Sequence, residues 1–201
     1  EISNCRHGIG EWRAFSKGGA FSPFFADIYL LVDWEPRRCT FLGFFGRPGR
    51  EIERPESVDC FFRPGLTWPL RTQVGLSLRA MPAGGIFGHK GPAAFVANDD
   101  PDALLALLAL TNSRAFGLLV SLQMAFGSYE VGVIQKTPVP DLSAEHQATL
   151  AALARRAWSL KRTLDTREET SHAFLLPAAL RHRLGDYDPP AIEAELARLQ
   201  A

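Results

Sequence analysis

Apolar residues fall into two regimes along this 201-residue chain. Up to about residue 98 they come in short bursts separated by Gly and Pro; beyond it they recur at helical spacing. Residues 26–34, A-D-I-Y-L-L-V-D-W, are rich in aliphatic and aromatic side chains and predict a buried strand. Residues 74–81 alternate loosely and predict another. Ile86-Phe87 and residues 93–96 predict two more, flanking the loop Gly88-His89-Lys90-Gly91-Pro92. Turns are signalled at Arg63-Pro64-Gly65, at residues 82–85 and at Arg47-Pro48-Gly49-Arg50, the last followed by a charged connector over 51–56.

The helical half opens at Asn98-Asp99-Asp100, which can cap a helix whose first position suits Pro101. Leu104, Leu107, Leu108 and Leu110 follow, then a break and new cap at Thr111-Asn112-Ser113, and a second helix over 114–124. Residues 129–136 predict a strand, stopped at Thr137-Pro138-Val139-Pro140 because proline cannot donate to a ladder. Ser143 caps a third helix running to Asp165, about 33 Å long. The stretch 186–190 reads as a linker and stop, and 191–200 as a terminal helix.

The formal net charge is zero, so any nucleic-acid surface has to be local. Residues 61–98 hold Arg63, Arg71, Arg79 and Lys90 and no Asp or Glu. Glycine turns there, and at Gly18-Gly19 beside Lys17, allow backbone to approach a ligand closely. Trp68 and Phe87 fit either a core or a stacking role. Cys5, Cys39 and Cys60 are scattered and odd in number, which predicts neither a zinc site nor a disulfide framework and fits a reduced, cytoplasmic setting. The most apolar run, 103–110, is too short to span a bilayer. The chain begins at Glu1, which suggests a piece of something larger.

Catalytic signatures are missing: there is no GxSxG, HExxH or GxxxxGK[ST], and the five histidines are spread out. The glycines at 84, 85, 88 and 91 do not form a dinucleotide loop. Asp188-Pro189-Pro190 lacks the following aromatic ring that an amino methyltransferase uses to stack a flipped base; Ala191 stands there. No catalytic residue and no metal ligand is assigned.

Several blocks in order carry a resemblance. Residues 62–68 (FRPGLTW), Arg71, residues 84–95 (GGIFGHKGPAAF), Leu110-Thr111-Asn112-Ser113, residues 126–142 and the helix after them resemble the specificity region of adenine-specific DNA methyltransferases. These are the large single-chain proteins of type IIG restriction–modification and BREX-like phage-exclusion systems. Lys17-Gly18-Gly19 and the strand ending at Trp34 are similar to the start of that region. The break, aliphatic strand, Pro-x-Pro and long helix also resemble type I specificity subunits.

The resemblance implies an α+β fold: a target recognition domain over 1–142, built on a small, irregular, curved sheet with helices, followed by a long helix in a helical C-terminal segment, 143–201. The partners it implies are double-stranded DNA and the methyltransferase catalytic domain of the same parent chain. That domain would bind S-adenosylmethionine and methylate a flipped adenine; no cofactor is expected in this chain and no membrane is involved. The expected DNA contacts are Lys17, Arg63, Thr67, Arg71, Arg79, His89, Lys90 and Tyr129. The arginines would read guanine or hold phosphates, the lysines would hold phosphates, and Thr67 and Tyr129 would offer hydroxyls. Two alternatives stand beside this: an interaction module docking through the helix 143–165, and an enzyme using His89 and Lys90, which lacks a paired base.

Overall fold

The computed structural model describes residues 2–3, 12–34, 57–124, 127–185 and 187–200. The turn at 47–50, the connector 51–56, Cys5 and Cys39 lie outside them. The α+β expectation holds: seven short strands precede six helices among the described residues. The strands form two small sheets. The first has the order β1 (Ile2–Ser3), β3 (Leu31–Asp33), β2 (Trp12–Ser16), β6 (Ile86–Phe87), antiparallel except for the β2–β6 pair. The second is antiparallel, with β4 (Gly65–Thr67) between β5 (Arg79–Met81) and β7 (Ala93–Ala94).

Two expected strands are shorter than their hydrophobic runs. In 26–34 only β3 pairs, and in 74–81 only β5. Phe24 adds irregular partners to the second run: its amide donates to Leu78 O at 2.8 Å, and its carbonyl accepts from the Ala80 amide of β5 at 3.1 Å. Asn112, in the break between the first two helices, closes the arrangement. Its Oδ1 accepts from the Leu78 amide at 3.0 Å and its Nδ2 donates to Leu78 O at 2.9 Å. One side chain thereby replaces a missing strand neighbour.

α1 (Pro101–Thr111) starts where expected, with the Asp100 carboxylate accepting from the Asp102 and Ala103 amides. Ser113 caps α2 (Arg114–Ser121), bent 65° from α1. Ser143 caps α4 (Ala144–Asp165), which has the expected bounds. α4 buries Ala151, Ala154 and Ala157, and α1 packs along it. Leu66, Trp68, Leu78, Leu108, Phe116, Ala154 and Ala157 belong to one buried cluster that spans strands and helices. A second, smaller cluster joins Val32, Phe61 and Ile86. No single described helix is long and apolar enough to cross a membrane.

Two expectations are corrected. Residues 131–136 form a helix, α3 (Val131–Lys136), not a strand. The extended chain ends at Ser128, which bridges Arg71, and at Tyr129, whose amide donates to Leu70 O at 2.7 Å. Beyond them the amides of Val133 and Ile134 turn back to Glu130 O, and Thr137 Oγ1 donates to Val133 O, so the backbone satisfies itself locally. The prolines at 189 and 190 do not stop a helix; they occupy the first turn of α6 (Pro189–Gln200), where an absent N–H costs nothing. Asp188 Oδ1 accepts from the Ala191 amide at 3.2 Å. α5 (Ala178–Leu184) lies between α4 and α6 in sequence and ends on Gly185, left-handed at φ 72°.

Candidate nucleic-acid interface

Two glycine turns build the candidate surface by meeting backbone to backbone. The Gly88 amide donates to Ser16 O at 3.0 Å, and the Leu70 amide to Lys90 O at 3.1 Å. Gly18 has φ 90°, and a Cβ there would collide with the Lys90 carbonyl. A Cβ on Gly91 would strike the Gly18 amide nitrogen and approach Ser16 O to 2.8 Å. Only glycine permits this approach from both sides, and it brings Lys17 and Lys90 onto one face.

There a cleft of about 390 Å³ is lined by Lys17, Gly19, Pro69, Leu70, Arg71, His89 and Lys90. Asp and Glu are absent from this lining. Lys17, Arg71, His89 and Lys90 are exposed. Arg71 is oriented by its Nε, which donates to Ser128 Oγ at 2.8 Å. The cleft therefore presents two lysines, an arginine and an imidazole, with backbone amides nearby, and has the makings of an anion-binding surface.

The remaining expected contacts lie elsewhere. Thr67 is 1% exposed and its hydroxyl donates to Gly91 O at 3.3 Å. Tyr129 is buried; burial pushes its phenol pKa up, and its carbonyl accepts from Trp68 Nε1 at 2.8 Å. Arg79 is 4% exposed, and its guanidinium donates to the carbonyls of Gly18 and Ala20, the second at 3.2 Å. These three hold the cleft together from beneath. Burial lowers the Arg79 pKa, the mark of a cation taken out of water.

Arg63 is also apart from the cleft. Two of its guanidinium nitrogens donate to Asp99 Oδ1, at 2.9 and 2.7 Å, and it stacks over Phe95. The Asp99 hydrogen bond pushes its pKa up. Residues 61–98 contain no acid, yet folding brings this one from the next residue in sequence. Trp68 is 1% exposed, and Phe61 and Phe87 pack edge to face at 5.2 Å, so both candidate stacking rings, Trp68 and Phe87, serve packing. Pro69, Leu70 and Ser128 carry no sequence signal: neither residue type nor spacing places Pro69 and Leu70 in this cleft or Ser128 against Arg71.

No protein-family model matches the chain. Its relatives are adenine-specific methyltransferases, to which the homology is distant. The Adenine-specific methyltransferase BrxX of Escherichia coli O9:H4 (strain HS) is 26% identical over 180 residues, which is 88% of this chain and 14% of that protein. The Adenine-specific methyltransferase PglX of Lacticaseibacillus casei (strain Zhang) is 24% identical over 164 residues, 81% of this chain and 13% of its own length. The chain thus spans only 13–14% of these much longer relatives.

Proposed function

We propose that this chain is the DNA-recognition region of an adenine-specific DNA methyltransferase of phage defence, acting in the cytoplasm. Residues 1–142 would engage double-stranded DNA and 143–201 form the helical arm behind them. A catalytic domain elsewhere in the parent would transfer the methyl group from S-adenosylmethionine. The observation that carries the reading is the convergence of Lys17, Arg71, His89 and Lys90 around a cleft without carboxylates, on turns only glycine can make. Alignment with adenine-specific methyltransferases over most of the chain supplies the context. Lys17 and Lys90 hold phosphates; Arg71, fixed by Ser128, has a preset fork suited to a phosphate or a guanine edge. Thr67, Arg79 and Tyr129 support the cleft, and Arg63 braces the chain near Asp99.

The test is a gel-shift salt series on the full-length protein. Lys17→Ala with Lys90→Ala should lower affinity for every duplex and flatten the plot of log affinity against log salt by about 1.8, since each phosphate contact contributes about 0.9. Unchanged affinity and slope would remove the cleft from DNA binding. The interaction-module reading instead docks α4, the helix 144–165, on the catalytic domain, and Leu153 is an exposed apolar side chain on it. It predicts that Leu153→Glu leaves DNA retention unchanged and releases the catalytic domain.

A further inference from the structure

A second cavity, of about 500 Å³, shares Lys17 and Gly19 with the basic cleft. Phe15, Ser16, Tyr29, Thr67 and Arg79 help to line it. Arg79 is the unusual member. A guanidinium carries five N–H donors. Two go to the Gly18 and Ala20 carbonyls, and no carboxylate pairs with Arg79 among the described residues. A buried cation held by carbonyls alone lacks the counter-charge that normally offsets its desolvation. Ser16 adds a buried hydroxyl whose Oγ has no hydrogen-bond partner.

Three carboxylates also line this cavity, and each is engaged. Asp27 faces the His172 ring at 3.0 Å, Asp165 accepts from the Ser171 hydroxyl, and Glu168 pairs with Arg167 at 3.1 Å. No described carboxylate is paired with Arg79 or Lys17. The volume lies in the range of small-molecule sites, so there is room for more than a bare ion. Tyr29, exposed on the lining, offers a ring to an attached base.

We propose that this cavity takes a single nucleotide by its phosphate, with Arg79 supplying the buried counter-charge and Lys17 the second cation. The inference rests on the DNA-recognition reading for the choice of a nucleotide. Its phosphate has two sources with the same chemistry, a displaced nucleotide of bound DNA or a free mononucleotide.

The experiment uses full-length protein with dTMP and thymidine as probes, a pyrimidine pair that avoids an adenine pocket. dTMP should protect the Lys17 amine from acetylation, read by mass spectrometry, and thymidine should not. Calorimetry should show dTMP binding weakened about tenfold by Arg79→Gln and less by Arg79→Lys, as expected for loss of a charge-assisted bond. Equal protection by thymidine, or no protection by dTMP, overturns the proposal without any variant having to fold. Displacement of dTMP by a 30-base-pair duplex assigns the site to DNA; retention of dTMP under the same duplex assigns it to free nucleotide. DNA binding that survives the Lys17/Lys90 double substitution, with dTMP protection intact in wild type, sinks the cleft reading alone. Lys17- and Lys90-dependent DNA binding without dTMP protection sinks the nucleotide site alone.

Discussion

At the scale of the residue, Gly18 and Gly91 decide whether the basic face exists. Each fills its place only because it lacks a Cβ, and the atoms in the way belong to backbone, which cannot rotate aside. Gly91→Ala should cost about 2 kcal/mol or more, as overpacking of a close-packed contact does. Chemical denaturation checks it, and a loss under about 0.5 kcal/mol, the ordinary surface range, would show that the two turns are not locked. Arginine is instructive here because one residue type has three fates. Arg71 stays exposed on Ser128, Arg63 is spent on Asp99, and Arg79 is buried under the Gly18–Ala20 turn. Arg63→Ala should therefore lower the melting temperature while leaving the salt dependence of DNA binding unchanged, because its charge is already neutralised. A flatter salt dependence in that variant would return Arg63 to the proposed DNA-binding face.

At the scale of the element, α4 is held by small side chains on one side and by charge on another. Ala154 is fully buried in the core cluster, so Ala154→Leu should destabilise by about 1–3 kcal/mol. Leu153→Ala, on the exposed side, should stay within about 0.5 kcal/mol in the same unfolding assay. On α6, the Arg198 guanidinium bonded to Glu195 at 2.8 Å, with Arg156 of α4 at 2.9 Å, holds the Glu195 carboxyl down at about 2 against an ordinary 4.5. A carboxyl depressed by folding contributes stability above its unfolded pKa and loses it as pH falls toward the folded value. The difference in stability between wild type and Glu195→Gln should thus be constant near neutrality and shrink between about pH 4.5 and 2. A difference independent of pH across that window would show that the ion pairs contribute nothing.

At the scale of the molecule, the two clusters and two sheets explain how a chain with zero net charge acquires a cationic face. The helical half was open to sequence reading because capping and periodicity are local. Asp100, Ser113 and Ser143 cap helices at the expected places, and α4 has the expected bounds. The strand half was less legible. Segments 26–34 and 74–81 look alike as hydrophobic runs, yet which residues pair depends on neighbours distant in sequence, such as Phe24 against Arg79 and Asn112 against Leu78. α3 departs from the hydrophobic pattern for the same reason: Val131, Val133 and Ile134 suit a strand, but no described strand pairs with them.

What the sequence determines by itself is the α+β order, the capped helices and the supply of glycine and cations around residues 17–19 and 61–98. What only the tertiary structure decides is which cations reach solvent together. Lys17, Arg71, His89 and Lys90 meet because two glycine turns interlock. Arg63, Thr67 and Arg79 leave that face because Asp99, the Gly91 carbonyl and the Gly18–Ala20 turn claim them, and Tyr129 leaves it because its side chain is buried in the core cluster. The physical reason is range. Capping and glycine freedom act within a few residues, whereas burial and charge pairing depend on atoms brought together across 30 to 60 residues of chain.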